Sequence, residues 1–524
     1  MPSSPTSFRL QDTATGQRVF EAVERLFLHH RLSRQSHDNT YYDTFDWRLF
    51  RQGTVLRTQR DGNTWNLTWV QSDGSEIQRS ALTQKPEFVW NLPPGGLRVG
   101  LEDVVEMRRL LPLFTIEAQT ETLDLLDSRR KTVARLQLRN SKAHPLRGDR
   151  PSARLPLALL ASPVRGYDQQ FERLLAALQE EHLEPLEDSE FDQGAAAAGF
   201  QPGTYSHKLE LQLEPDMRSD EALRAILRRL LQVIQQNEEG LRENLDSEFL
   251  HDFRVSVRRT RSALSQLKGV FPPDRVAHFK KEFSWLGQIT GPTRDLDVYQ
   301  LKMPDYRASL PEHLRDDLDP LDEFLSRHQK LEHQELAQLL DTRRYHSLLS
   351  DWEAFLDQPL EEDTDRPEGA TPILELASKR IWESSRKVLK KGAAIGPDTP
   401  AEALHRLRIE CKKLRYLLEF FRSLYPEGDL LPLIAALKRL QDNLGDFNDL
   451  EVQQETLRAF ARTMLAEKIG TASSLMAMGR LVERLEERQV EERKTFHRRF
   501  DRFSSRRNRQ RFKKLFQRTG APQA

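Results

Sequence analysis

Over roughly the first two-fifths of the chain, apolar and polar residues alternate in short runs: TVLRTQR (54–60), TWNLTWVQ (64–71), TVARLQLRN (132–140) and HKLELQLEP (207–215). Period two is the mark of half-buried strands, and the pairs Asp61-Gly62 and Asp73-Gly74 supply turn chemistry between them. Two stretches break the alternation. TGQRVFEAVERLFL (15–28) sets Val19, Val23, Leu26 and Phe27 on one helical face, and a second helix is predicted over 165–182. LEDSEFDQGAAAAGFQPG (186–203), rich in small residues, reads as a loop that leads into the last strand, 207–215. The pattern predicts an antiparallel β meander closed by a late strand.

From Asp216 onward the period becomes that of long amphipathic helices rich in Leu, Arg, Glu and Gln. DQPLEEDTDRPEGATP (357–372), acidic and with three prolines, reads as a solvated linker. On either side of it the sequence repeats: LHDFRVSVRRTRSAL (250–264) matches LHRLRIECKKLRYLL (404–418), and GPTRDLDV (291–298) matches GDFNDLEV (445–452), at one constant offset. The expected class is therefore an α+β multidomain protein. A β tunnel or barrel over 1–215 precedes an all-α domain over 216–510, with repeats at 217–356 and 371–510 about a linker at 357–370, and a basic tail at 511–524.

Composition narrows the function classes. Lys plus Arg and Asp plus Glu both total 80 in 524 residues, so a histone-like polycation is excluded and any anion site must come from local clustering. The single cysteine, Cys411, allows no intramolecular disulfide and no cysteine zinc site. With no signal-peptide pattern and no apolar run of membrane length, the expectation is a cytoplasmic protein without membrane contact.

The clustering lies in the repeat. His251, Arg254, Arg258 and Arg261 fall within about 80° on a helical wheel, beside an apolar stripe of Leu250, Phe253, Val257 and Leu264. The second copy places His405, Arg408, Lys412 and Arg415 in the same way, and Lys268 and Arg422 add one further cation to each. Like charges at these spacings repel, so two such stripes need an anion or nearby carboxylates. From the charge pattern alone two readings stay open: solvated Arg stems snorkelling along the bundle, or donors to phosphate oxygens. Asp295 and Asp449 hold equivalent places in the repeat; either they belong to helix starts or they orient Arg254 and Arg408.

His-x-x-Arg-x-x-x-Arg-Arg-x-Arg, followed by a G-x-x-R-D-x-D segment and repeated once, resembles the CHAD (conserved histidine α-helical) domain family, over about 217–510. The resemblance implies two pseudo-symmetric four-helix bundles and a basic groove that binds inorganic polyphosphate. Carried over by position, it implicates His251, Arg254, Arg258, Arg259 and Arg261 with His405, Arg408, Lys412, Lys413 and Arg415; the lysines at 412 and 413 keep charge but lose the bidentate fork. The segment YYDTFDWRLFRQGTVLRTQRDGNTWNLTW (41–69) is similar to the CYTH, or triphosphate tunnel, family, which implies a tunnel that holds a triphosphate on inward cations with a divalent metal. Here the first strand, SFRLQD, lacks that family's Glu-x-Glu-x-Lys, Trp69 stands where a Lys is expected, and only Glu210 and Glu214 on the late strand remain as weak metal candidates. The tunnel thus reads as degenerate. The expectation is a polyphosphate-binding protein, able to associate with polyphosphate granules, without catalytic residues and without cofactor unless an active tunnel takes Mg²⁺ or Mn²⁺. The alternatives are a metal-dependent triphosphatase or polyphosphatase and, disfavoured because Phe253 and Tyr416 are the only aromatics of the motif helices, nucleic-acid binding.

Overall fold

The computed structural model describes residues 5–517 apart from Asp73, Asp149 and 359–365. The chain divides into two compact units, Met1–Ser206 and His207–Ala524.

The first unit is built on an eleven-stranded sheet in which every pairing among the described residues is antiparallel. Its strands are β1 (Thr6–Leu10), β2 (Leu28–Arg31), β3 (Gln35–Asp43), β4 (Thr54–Asp61), β5 (Thr64–Gln71), β6 (Glu76–Leu82), β7 (Leu111–Leu126), β8 (Thr132–Pro145), β9 (Ala153–Arg154), β10 (Leu157–Pro163) and β11 (Glu184–Pro185). They run in the order β11-β1-β10-β8-β7-β3-β4-β5-β6, with β2 on β7 and β9 on β8. Gly62, with φ of 58°, makes the β4–β5 turn expected from Asp61-Gly62. Five helices pack on the sheet: α1 (Thr13–Leu26), α2 (Arg48–Arg51), α3 (Gly96–Val105), α4 (Asp168–Glu180) and α5 (Glu190–Ala198). α1 and α4 bury Val19, Phe20, Phe171 and Leu174 against Phe8, Leu136 and Leu159, and α3 closes a second core on Leu56 and Leu67.

α5 corrects the expectation of a loop over 186–203. Ser189 accepts from the Asp192 amide and Asp192 accepts from the Ser189 amide, and Gly199 ends the helix with φ of 79°. These stop signals, with four alanines between them, outweigh the absence of an apolar period. Its Gly194 lies flat on the sheet, where a Cβ would stand 2.4 Å from Phe114 Cε2.

Residues 207–215 form no strand, a second correction. The alternation is real, with Leu213 buried and Gln212 and Glu214 exposed, but the segment lies along helices of the second unit. The Leu213 amide donates to Ser423 Oγ at 3.1 Å and the His207 carbonyl accepts from Arg259 at 3.1 Å. Period two reports an extended chain with one buried face; it does not say whether a sheet or a helix layer covers that face.

The second unit is helical: α6 (Ser219–Arg242), α7 (Ser247–Gln266), α8 (Pro273–Ile289), α9 (Gly291–Ser309), α10 (Asp319–Leu340), α11 (Arg343–Asp357), α12 (Ile373–Ala393), α13 (Ala401–Phe420), α14 (Glu427–Ala466), α15 (Ala472–Phe503) and α16 (Arg506–Phe516). The starts of α6, α7 and α8 each precede those of α12, α13 and α14 by 154 residues, so the sequence repeat is a structural one. One bundle is α6, α7, α8 and α11, closed by Phe271, Phe279, Phe283, Trp352 and Phe355. The other is α12, α13, the first half of α14, and α16. A third core joins them: Leu296, Tyr299 and Met303 of α9 and Phe324 of α10 pack with Leu450 and Leu457 of α14 and Met478 and Leu481 of α15.

Two further expectations change. Residues 366–370 are not a solvated linker, since buried Arg366 pairs with Asp220 at 3.3 Å and the Gly369 carbonyl accepts from the Asp220 amide at 3.0 Å; 359–365 lie outside the described residues. Residues 511–516 are not a free tail. They finish α16, with Phe512 and Phe516 buried, while 518–524 are outside the described residues. A fragment over 207–517 is therefore expected to fold alone and to unfold at higher denaturant than 217–510, which lacks Leu213, Phe512 and Phe516. Equal midpoints in urea would contradict these packing assignments.

Candidate functional site

Asp246 caps α7, accepting from the amides of Glu248 and Phe249 at 2.9 and 3.3 Å. The helix then buries Phe249, Phe253 and Val257 in its own bundle, which turns its cationic face toward α13. α13 does the same with Leu404, Leu407, Cys411 and Leu414. Between them lies a groove of about 500 Å³ whose walls include His251, Arg258, Arg408, Lys412, Arg415 and Tyr416, with Asp442, Asp446 and Asp449 of α14 on a third side.

The cations of the two stripes are not equivalent. Arg258 Nε donates to Tyr416 Oη at 2.8 Å, which ties the two copies together across the groove. Arg259 and Arg415 converge on Glu419, at 2.9 and 2.6 Å, so much of their charge is already answered. Arg408 donates to Asp449 at 3.0 Å, the orienting role considered for that carboxylate. Arg254 turns away from the groove: its guanidinium donates to the Gly287 carbonyl at 2.9 Å and to Thr290 Oγ1 at 2.7 Å, where α8 ends and α9 begins. Asp295 is within electrostatic reach of Arg254, and its carboxyl is pushed up by burial. Both acids sit inside helices, Asp295 in α9 and Asp449 in the middle of the continuous α14, so neither caps a helix start.

Lys412 is the exception. Its half-buried ammonium makes no hydrogen bond or ion pair among the described residues. Burial, and then the charges of Arg408 and Arg258, push its pKa down to about 8. The neighbouring Lys413 points elsewhere, to Glu410 at 3.3 Å. Arg422 pairs with Glu427 at 2.7 Å, and Arg261 and Lys268 are exposed on the outer surface; none of these lines the groove.

The two histidines carry opposite tautomers. Arg294 can only donate, and it reaches His251 Nδ1 at 2.9 Å, so Nδ1 accepts and the neutral ring keeps its proton on Nε2. Burial and the Arg294 charge push this ring down to about 4, which leaves it a neutral donor at ordinary pH. In the second copy Asn448 stands where Arg294 does. Its amide nitrogen donates to Asp449 at 3.4 Å, which turns its oxygen to His405 Nδ1 at 2.5 Å, so here Nδ1 donates. Glu248, His251 and Asp252 offer three donor atoms within 4.8 Å of one another, yet Arg294, 3.8 Å from Glu248, already brings positive charge to that corner.

Sequence reasoning missed the acidic wall. Asp442 and Asp446 precede Asp449 at i, i+4 and i+7 spacing on α14, a signal that was open to view once the helix was seen as continuous.

In the first unit, the sheet face under α5 carries Arg57 and Arg139, and α5 presents Glu190 to them. Glu190 accepts from Tyr41 Oη at 2.7 Å and from Arg139 at 3.1 Å. Burial raises its carboxyl, but Arg139, Tyr41 and Arg57 outweigh that and hold it below the usual range. β1 offers this face Ser7 and Arg9, and Glu210 and Glu214 belong to the segment outside the sheet. The residues present therefore do not fit a divalent metal bound as in a triphosphate tunnel. Trp69 packs on Gly100 of α3 and not under α5.

Residues 225–458 match the family model of the CHAD domain. Among solved structures, the CHAD domain from the plant Ricinus communis is 28% identical and covers 56% of this chain and 94% of its own, with a TM-score of 0.46. PptA from Streptomyces chartreusis is 18% identical over 54% of this chain and 100% of its own, with a TM-score of 0.42. A Hippeastrum protein described as an adenylyl cyclase with a dominant triphosphatase activity is 13% identical over 38% of this chain and 99% of its own, with a TM-score of 0.27. No curated protein is matched. No helix among the described residues is long and apolar enough to cross a membrane.

Opposite effects on stability are expected from two cations of the motif. Arg254→Ala leaves Thr290 and the Gly287 carbonyl without their donor and should cost about 1–3 kcal/mol in urea unfolding. Lys412→Ala relieves crowding and should be neutral or slightly stabilising. Equal losses from both would contradict the division of roles.

Proposed function

With a CHAD domain in the helical half as premise, we propose that the groove between α7 and α13 binds inorganic polyphosphate. The observation that carries this reading is the unpaired ammonium of Lys412, half-buried among Arg258, Arg408 and Arg415. Such an arrangement is unfavourable until an anion enters, and an anionic oxygen there gains charge-assisted bonds from several sides. Arg258 and Lys412 are the primary contacts, Arg408 is held ready by Asp449, and His251 donates from Nε2. Arg259 and Arg415 brace the wall through Glu419, and Arg254 braces the α8–α9 corner. A cytoplasmic polyphosphate store, granules included, is the setting this reading implies.

The triphosphatase reading finds less support. Arg57 and Arg139 are engaged by Glu190, and among the described residues the sheet face lacks the carboxylates that a metal needs, so no hydrolytic step is derived. Nucleic-acid binding is likewise disfavoured: the Tyr416 hydroxyl is spent on Arg258, and among the described residues no other Phe, Tyr or Trp lines the groove.

The amine gives the reading a pH signature. The free-state pKa of about 8 lies below the ordinary lysine value, and binding requires the charged form, so polyphosphate affinity should fall as pH rises from about 7 to about 9. His251, neutral well below this range, adds no slope. Lys412→Arg, always charged, should flatten the profile, and Arg258→Ala with Lys412→Ala should weaken binding at least about tenfold while helical circular dichroism is kept. Calorimetric titration that finds unchanged affinity in the folded double variant would overturn the assignment.

A further inference from the structure

The cations from Arg493 to Lys514 belong to two packed helices, α15 and α16. Phe500 packs so closely on α12 that a Cβ on Gly392 would meet it at 1.9 Å. Phe516 meets Tyr425 edge to face, with ring centres 4.8 Å apart, and the Tyr425 hydroxyl bonds Ser378 of α12 at 2.9 Å. α16 therefore packs on α12, and with the end of α15 the helices form one packed layer. It carries Arg386, Lys387 and Lys390 of α12 with Arg502, Arg506 and Arg507 of α15 and α16. Among the described residues none of these six side chains makes an ion pair or hydrogen bond. Many other surface cations of this unit, by contrast, are answered by carboxylates, as Arg344 is by Glu282 and Lys514 by Asp429. The aromatics beneath, Phe496, Phe500, Phe503, Phe512 and Phe516, are all buried, so the patch offers charge without stacking faces.

We propose that this surface is a second station for polyphosphate, which a long chain reaches while its other segment occupies the groove. This extends the groove reading and rests on it. The two stations lie on neighbouring helices. α12 packs beside α13, and Lys391 of α12 and Lys413 of α13 share Glu410 at 2.9 and 3.3 Å, on the far side of α13 from Lys412. A linear phosphate polymer needs only spaced cations, which this surface has, whereas single-stranded nucleic acid also asks for exposed aromatics, which it lacks. Occupying both stations makes the second contact intramolecular, so affinity should rise steeply with chain length once the polymer spans them.

The test uses the full chain with tripolyphosphate, with polyphosphate of about 100 units and with a short DNA duplex as probes. The variant replaces Lys387, Lys390, Arg506 and Arg507 with Gln, positions exposed enough to leave the fold intact, as circular dichroism and the thermal midpoint check. Affinity for the long polymer is expected to drop at least about tenfold and its salt dependence to become shallower, while tripolyphosphate binding stays unchanged. Long-polymer affinity within about twofold of the unaltered protein would overturn the second station. So would an equal loss for tripolyphosphate, or a loss for duplex DNA alone, which would assign the patch to nucleic acid. Failure of the groove reading is separate: it appears as tripolyphosphate binding that Lys412→Ala leaves untouched.

Discussion

Like charges held side by side are the constraint on which the helical half turns. Two helices of one repeated design bury their apolar stripes in separate bundles and are left facing each other with their cations. Carboxylates relieve most of that repulsion: Glu419 takes Arg259 and Arg415, and Asp449 takes Arg408. The compensation stops short of Lys412. A fully neutralised groove would be more stable; the charge left uncompensated here is what the proposed ligand, with several anionic oxygens, would answer.

The constraint can be met only if the two copies are held in fixed register, and the shared core does this. Because α9 and α10 pack with α14 and α15, the copies cannot slide past one another without breaking a core that includes Tyr299, Phe324, Leu457 and Met478. The fused α14 carries the consequence. In the first copy the chain breaks at Thr290, and Arg254 is consumed in closing that break. In the second copy the helix runs through, Arg408 stays in the groove on Asp449, and the acids Asp442, Asp446 and Asp449 line one side of it. Exchanging Arg294 for Asn448 likewise gives the two histidines opposite tautomers. Duplication followed by asymmetric use leaves the two cationic helices with different free groups: Arg254 is consumed in α7, while its counterpart Arg408 lines the groove from α13.

Much of this was legible in the residues. The helical repeat, its offset and the membership of Arg258, Arg408 and Lys412 in one face follow from spacing alone, because a helix fixes which residues share a face. What spacing could not tell is which cations are spent, since that depends on partners distant in the chain: Glu419 for Arg259, Thr290 for Arg254, Glu410 for Lys413. The same limit explains the misplaced last strand. HKLELQLEP alternates as a strand should, but its apolar side found helices. In the first unit the loop over 186–203 hid a helix whose caps, Ser189 and Gly199, were visible, yet nothing local indicated that Glu190 would answer Arg139.

The central claim is that Lys412, and not its neighbour Lys413, meets the ligand. Acylation of lysines by an amine-directed reagent, read residue by residue by mass spectrometry with and without polyphosphate, tests it most directly. The account predicts that Lys412, whose lowered pKa makes it the readily labelled amine of the groove, is protected by polyphosphate while Lys413 is labelled to the same extent in both samples. Equal protection of the two, or unprotected Lys412 at saturating polyphosphate, would contradict it.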